Sequence, residues 1–158
     1  KVPKSIRNLL NQNKFQVTFN RDFESVIKNC QQIKRAGQDG TWITDDIVAS
    51  YIELHKQGFA QSVEVWQEDK IVGGLYGVSL GKCFFAESMF HTVSNASKFA
   101  LIKLVEFLKK HDFLFIDAQV FTEHVTTLGA KEIPRSEFIQ MLQRGLKSDN
   151  LIGKWTNL

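Results

Sequence analysis

The chain has little of the chemistry that marks several common protein classes. Among its 158 residues are only two cysteines, Cys30 and Cys83, and their spacing is not that of a disulfide framework. We therefore expect reduced thiols and a cytoplasmic protein. No apolar run approaches the roughly 20 residues of a membrane-spanning helix, and the basic, polar residues 1–15 do not form a signal peptide.

Several familiar site motifs are also missing. The four histidines do not stand at metal-ligand spacing with each other or with the cysteines, and no Gly-x-Ser-x-Gly motif is present. The glycines at 73, 74, 77 and 81 fit neither a P-loop nor a dinucleotide motif, and no helix is predicted to follow them. These patterns indicate no metal, no nucleotide loop and no covalent nucleophile. Glycines in a strand more often allow close backbone approach or a bulge.

Composition and charge indicate one globular domain with a basic end. The apolar fraction is 43% and the charged fraction 23%, which are typical of a soluble globular protein, and a monomer is the default. Residues 1–35 carry eight Lys and Arg against two acidic residues, so this segment has a net charge of +6 and the rest −3. Such asymmetry favours an acidic partner such as nucleic acid, although a solvated basic face would give the same pattern.

Hydrophobic periodicity predicts an α+β domain. An antiparallel meander should precede a long helix and a further strand, an order that resembles the acyl-CoA N-acyltransferase (GNAT-like) fold. The predicted helices are 5–10, 23–30 with Asp22 as N-cap, 45–57 with Thr44 as N-cap, 94 or 95 to 110, and 135–144 after Pro134. The predicted strands are 15–19, 62–67, 71–80, 83–89 and 113–120.

Two carboxylates stand among large apolar residues. In a strand, Asp117 and Gln119 would project to one face, while Ile116, Ala118 and Val120 would enter the core. A carboxylate beside a carboxamide can orient an amine or a sugar hydroxyl; the alternative is a polar face that meets solvent. Glu87 lies in a strongly apolar strand and needs a partner, either a substrate amine or a core-facing Lys or Arg.

One tryptophan is a further candidate. Trp42 precedes a predicted helix and could stack on a base or close a pocket, or it could be an ordinary core residue.

Several motifs in fixed order resemble the leucyl/phenylalanyl-tRNA–protein transferases over residues 5–142. They are Gly40-Thr-Trp-Ile-Thr44, Ser62-Val-Glu-Val-Trp66, Gly73-Gly-Leu-Tyr-Gly77, Phe84-Phe-Ala-Glu-Ser-Met-Phe90, Asn95-Ala-Ser-Lys98, Ile116-Asp-Ala-Gln-Val120 and Leu128-Gly-Ala-Lys-Glu-Ile-Pro134. The family's smaller N-terminal domain, with its Trp-Trp-Ser-Pro signature, is absent from residues 1–158, which resemble the catalytic domain alone.

The resemblance implies transfer of Leu or Phe, and to a smaller extent Met, from aminoacyl-tRNA to proteins that begin with Arg or Lys. This transfer marks those proteins for degradation. No cofactor is implied, because the ester is already activated. The resemblance places Asp117, Gln119 and Glu87 at the reacting groups. It also implies a substrate pocket of Trp42, Leu75, Phe84, Leu101 and Ile116, and tRNA contacts by Lys4, Arg7 and Lys14.

Two departures keep other interpretations open. Ala86 stands where the family usually has Gly, and Phe121-Thr-Glu-His124 replaces a Thr-Pro-His-like sequence. A family member with another acceptor, such as acidic N-termini, and a non-catalytic tRNA-binding module are the alternatives. An acyl-CoA N-acetyltransferase is disfavoured, because residues 91–97 contain no glycine to hold a pyrophosphate at the helix N-terminus.

Overall fold

A computed structural model describes residues 14–33, 40–120, 123–152 and 155. Five strands and five helices follow one another along this part of the chain. In chain order they are β1 (Gln16–Phe19), α1 (Phe23–Gln32), α2 (Asp45–Lys56), β2 (Ala60–Gln67), β3 (Lys70–Leu80), β4 (Cys83–His91), α3 (Ala96–Lys110), β5 (Phe115–Asp117), α4 (Glu123–Thr127) and α5 (Arg135–Gly145).

The strands form one sheet in the order β1-β2-β3-β4-β5. The first four strands are antiparallel neighbours, as the turn residues at 68–70 and 81–82 predict. Strand β5 returns after α3 and pairs parallel to β4 through only three positions, which join Cys83, Phe84 and Phe85 to residues 115–117. Beyond this short ladder the two strands are no longer partners.

Helices cover both faces of the sheet. Helix α3 buries Phe99, Leu104 and Phe107 against one face, where Trp155 is fully buried and stacks on Phe107 at 4.4 Å. Helices α1 and α2 cover the other face around Tyr76. None of the helices in the described ranges is long and apolar enough to cross a membrane.

Strand β4 contains one extra residue. Tyr76 of β3 pairs with Ser88, whereas its neighbour Gly77 pairs with Ala86, so Glu87 has no partner residue across the ladder. This is a β-bulge, which bends a strand locally and re-aims its side chains. The unpaired Glu87 lies two residues beyond Phe85, where the β4–β5 pairing ends.

The structure confirms the predicted helices within its described ranges. Asp22 accepts a hydrogen bond from the Ser25 amide at 3.1 Å, and Thr44 accepts one from the Ile47 amide at 3.4 Å, so both predicted N-caps form. Helix α4 was not predicted, and the predicted helix 5–10 lies outside the described residues.

The predicted strand 113–120 is wrong in extent. Only residues 115–117 are paired, Gln119 has a positive φ of 62°, and Val120 is 65% exposed instead of entering the core. The physical reason is local: the Asp117 carboxylate accepts a hydrogen bond from the Gln119 amide, which turns the backbone out of the strand.

Gly77 should not tolerate a side chain. A Cβ atom at this position would lie 2.3 Å from the carbonyl oxygen of Phe85 and 2.6 Å from the ring of Phe84. Because both belong to the bulged strand, we expect Gly77→Ala to destabilise the protein by about 1–3 kcal/mol. Urea unfolding of the variant measures this loss. The control is Gly40→Ala, since no atom lies within 4 Å of a Cβ there; equal losses for the two variants would contradict the packing argument.

Candidate active site where strands β4 and β5 separate

The end of β5 brings Asp117 and Gln119 together by a turn rather than by strand alternation. The Gln119 amide donates a hydrogen bond to Asp117 Oδ1 at 2.8 Å, and the left-handed backbone at Gln119 reverses the chain. Asp117 is half-buried and Gln119 is exposed. The predicted projection of both side chains from one strand face is therefore wrong, and the carboxylate instead fixes the backbone of its neighbour.

The Gln119 side chain bridges the gap between the two strands. Its Nε2 donates to the carbonyl oxygen of Ala86 at 3.0 Å, just past the last paired residues of β4 and β5. With Nε2 held on β4, the remaining side-chain oxygen of Gln119 stays available as an acceptor. The arrangement thus presents an oriented carboxamide oxygen at the mouth of the gap.

Glu87, the extra residue of the bulge, is half-buried and has a neutral partner. Its carboxylate accepts a hydrogen bond from the Tyr51 hydroxyl of α2. Burial and then the charge of Glu87 raise the pKa of Tyr51 to about 12 from 10.0. The Tyr51 ring packs edge-on against Tyr76 at 5.3 Å. No described Lys or Arg forms an ion pair with Glu87, so the predicted salt-bridge alternative is not found in this part of the chain.

Two cavities share the β5 segment as a common wall. The apolar cavity, of about 360 Å³, lies between α3, the bulged part of β4 and β5. Its wall includes Ala86, Met89, Leu101, Val105, Leu108 and Ile116. A volume and lining of this kind suit an uncharged, branched or aromatic side chain.

The second, polar cavity has a volume of about 720 Å³ and lies on the α5 side of the same segment. Asp117 and Gln119 belong to the wall of this polar cavity and not to that of the apolar one. The segment at 130–133 and the first turns of α5 complete the enclosure.

The predicted substrate-binding residues fall into three places. Leu101 and Ile116 line the apolar cavity, as expected. Leu75 and Phe84 are 1% and 0% exposed and belong to the core beneath it, so they do not line it in this structure. Trp42 is 50% exposed and lines neither cavity, which rules out the alternative of a core tryptophan.

Of the predicted tRNA-binding residues, only one can be placed. Lys14 is exposed, with its Nζ 5.6 Å from the centre of the Phe15 ring. Lys4 and Arg7 lie outside the described residues.

The sequence interpretation missed two residues of the site. Neither Tyr51 nor Met89 was singled out as a site residue. For Tyr51 a signal existed, since a buried glutamate without a cation nearby requires a neutral donor. For Met89 the spacing of three residues from Ala86 crosses the bulge, which strand alternation alone does not anticipate.

Similar solved structures define the class of fold. An aminoglycoside acetyltransferase from an uncultured soil metagenomic sample has a TM-score of 0.56 at 15% identity and covers 78% of this chain and 93% of its own. A ribosomal-protein-alanine N-acetyltransferase from Brucella melitensis biovar Abortus has a TM-score of 0.52 at 14% identity, over 77% and 96%. The predicted α+β domain with an acyl-CoA N-acyltransferase fold is therefore confirmed.

Sequence relatives then define the family. The family model described as leucyl/phenylalanyl-tRNA protein transferase matches residues 1–143. Proteins with that name include one from Flavobacterium johnsoniae, 54% identical over 90% of this chain and 67% of its own length. Another, from Syntrophus aciditrophicus, is 49% identical over 98% and 65%. The chain belongs to the leucyl/phenylalanyl-tRNA–protein transferase family, and it spans about two thirds of the length of these relatives.

The contact between Tyr51 and Glu87 predicts a measurable titration. We expect Glu87→Gln to lower the pKa of Tyr51 from about 12 but to leave it above 10.0, because burial is the larger cause of the shift. The pKa in the folded state is the higher one, so the stability contributed by neutral Tyr51 is complete below pH 10.0 and is lost as the pH rises to about 12.

Tyrosinate absorbance across this pH range measures the effect, and the difference from Tyr51→Phe separates Tyr51 from the other tyrosine, Tyr76. The matched control is Glu53→Gln, which removes an exposed carboxylate of the same helix. An unchanged Tyr51 titration in Glu87→Gln would show that the two groups do not interact in solution.

Proposed function

We propose that this chain transfers Leu or Phe from aminoacyl-tRNA to the α-amino group of proteins that begin with Arg or Lys, marking them for degradation. The single observation that carries the proposal is the Gln119 carboxamide, held 3.0 Å from the Ala86 carbonyl at the rim of an apolar cavity. In this proposal the carboxamide oxygen is the acceptor for the amine, and the apolar cavity holds the aminoacyl side chain. Membership of the transferase family supports the same activity.

The reaction is aminolysis of an ester. The acceptor nitrogen attacks the ester carbonyl carbon, a C–N bond forms, and the C–O bond to the tRNA ribose breaks. The amine loses a proton and the ribose oxygen gains one, so no net charge is created. Because the ester is already activated, the reaction requires orientation of two bound reactants more than it requires a strong base.

The free energies of deprotonation and of alignment favour a positioning role for Asp117. An α-amino group has a pKa of about 7.7–8.0, so roughly a tenth is neutral at pH 7, and deprotonation costs only about 1 kcal/mol. Alignment of bound reactants can contribute about 7–11 kcal/mol. Asp117 therefore acts by fixing the Gln119 backbone, and the free oxygen of the Gln119 carboxamide accepts a hydrogen bond from the attacking amine.

The apolar cavity holds the side chain of the transferred residue. Leu101, Met89 and Ile116 supply an apolar wall, and Lys109 is the charged residue of the lining, so a cationic aminoacyl group loses solvation without gaining a partner. One methylene is worth only about 1–3 kcal/mol in such a pocket, so Met should be transferred as a minor donor.

The rest of the donor lies outside these cavities. The basic N-terminal stretch, with exposed Lys14, contacts the tRNA backbone by charge. Glu87 and Trp42 shape the site of the aminoacyl-adenosine. Residues 1–158 act as the catalytic domain. Transfer of radiolabelled Phe to peptides that begin with Arg, Lys, Asp, Glu or Ala tests this function; transfer to Arg and Lys alone is expected.

Two substitutions at one position separate positioning from base catalysis. Asp117→Asn retains an acceptor for the Gln119 amide but has no negative charge, whereas Asp117→Ala lacks the acceptor. We expect transfer to fall by about a hundredfold in Asp117→Ala and substantially less in Asp117→Asn. Single-turnover transfer of Phe to an Arg peptide measures both, and unfolding midpoints check that each variant folds. Equal, near-complete losses would indicate that Asp117 acts as the base instead.

The size of the apolar cavity should set donor preference. Leu101→Phe adds volume to its wall, so we expect transfer of Phe to fall more than transfer of Leu, by about tenfold in the ratio. Competition between Phe-tRNA and Leu-tRNA measures that ratio. The control is Ile102→Phe, because Ile102 is the next residue of α3 and lies outside the cavity wall. The same ratio in Leu101→Phe and in the unmodified protein would place the donor side chain elsewhere.

A further inference from the structure

The apolar cavity has a charged side chain at the end that lies away from the reacting groups. Among the described residues that line this cavity, Lys109 alone is charged. Ala86 and Ala118, next to the Gln119 carboxamide, belong to one part of the wall. Lys109 and Phe113 belong to another part, where α3 ends and the chain turns towards β5.

A hydrogen bond at the end of α3 fixes the position of this second part. The Phe113 amide donates to the Leu108 carbonyl oxygen at 3.0 Å, so the chain folds back on the end of the helix. Ala118 follows Phe113 by five residues, which corresponds to roughly 15 Å of nearly extended chain. A donor side chain that fills the cavity, with its backbone held near Gln119, therefore directs its tip towards Lys109.

Lys109 continues the apolar stripe of α3 that forms the cavity wall. Leu101, Val105 and Lys109 follow one another at intervals of four residues, so they lie on one face of the helix. They span about 12 Å along the helix axis. Because Lys109 is exposed, its alkyl stem extends the apolar wall while its ammonium group stays in water. The cavity thus ends in a positive charge at an open rim.

The charge of Lys109 is not neutralised by a carboxylate of the described residues. Glu106, one turn earlier on α3, forms its ion pair with Lys103 at 2.8 Å, and the other ion pairs of the described ranges lie in α1 and α2. Asp112 is exposed and lies outside the cavity wall. The C-terminal end of α3 contributes about half a negative charge, which Lys109 and Lys110 together outweigh. A donor side chain that reaches the rim therefore meets a positive potential.

We propose that Lys109 determines donor specificity by charge, and that this chain also transfers aminoacyl groups whose apolar side chain ends in a carboxylate. The assignment rests on the proposed function, because it takes the donor side chain to fill the apolar cavity. An aromatic side chain with a para carboxylate has the required chemistry, since its ring packs on the wall and its carboxylate stays solvated beside the ammonium group. A cationic tip is repelled at the same place. The tip takes no part in the bonds that form and break.

Two donors that differ in a single charge test the proposal in the intact protein. One tRNA is charged with para-carboxyphenylalanine and the other with para-carbamoylphenylalanine, which has nearly the same shape but no charge. We expect Lys109→Gln to lower the ratio of kcat/KM for the carboxylate donor to that for the carboxamide donor by roughly three- to fivefold. The effect should shrink as salt rises, because Lys109 is exposed. Lys110→Gln is the matched control, since Lys110 is exposed in the same turn but lies outside the cavity wall.

Reversal of the charge gives a second, independent readout. Lys109→Glu should invert the preference, so that a tRNA charged with para-(aminomethyl)phenylalanine becomes a better donor than one charged with para-carboxyphenylalanine. A purely structural role of Lys109 would lower transfer from both donors alike and would leave their order unchanged. Unfolding midpoints check that each variant folds.

Each result decides for or against the assignment. An unchanged ratio in Lys109→Gln, or the same fall in Lys110→Gln, would overturn the selective role of Lys109. Transfer of Phe by the unmodified protein without transfer of either para-substituted donor would show that the Lys109 end of the cavity admits no substituent, which overturns the assignment and leaves the proposed function intact. Absence of Phe transfer by the unmodified protein would contradict the proposed function itself, and the donor assignment with it.

Discussion

The site depends on one constraint, which is that β5 can pair with β4 over only three residues. Past Phe85 the β4 backbone needs another partner, and it receives the Gln119 side chain at the Ala86 carbonyl instead of a strand. A side chain in this position leaves open space on either side of it, where a paired strand would have closed the sheet. Both cavities exist because that pairing stops.

The bulge at Glu87 interrupts the β3–β4 ladder at one residue, close to where the β4–β5 pairing ends, and the β3–β4 ladder continues on both sides of it. One unpaired residue lets Ala86 and Met89 reach the apolar cavity while Glu87 is directed to Tyr51 on the other face. The neighbouring Gly77 admits no Cβ because the Phe85 carbonyl approaches it closely. The glycine thus supports a strand distortion and not a phosphate loop, as the sequence pattern indicated.

Periodicity and capping residues predicted most of the fold, because these signals are local. Thr44 and Asp22 cap helices by contacts within three residues, and the meander is specified by its turns. The geometry of β5 could not be obtained in this way, since the Asp117 side chain competes with the ladder for the Gln119 amide. The apolar surroundings singled out Asp117, Gln119 and Glu87, and the resemblance supplied their roles, but the Tyr51 contact depends on how α2 packs against the sheet.

The same fold in acyl-CoA enzymes does not carry their donor chemistry into this chain. The loop before α3 has no glycine, and Asn95 adopts a positive φ of 68° without capping the helix by its side chain. Nearby, the buried Ser97 hydroxyl contacts His91 Nδ1 at 3.1 Å. In this chain the gap between β4 and β5 holds the Gln119 carboxamide next to the apolar cavity. Acyl transfer from an activated ester requires two reactants to be oriented against each other. A strand that forms a wall of both cavities is suited to hold them in that orientation.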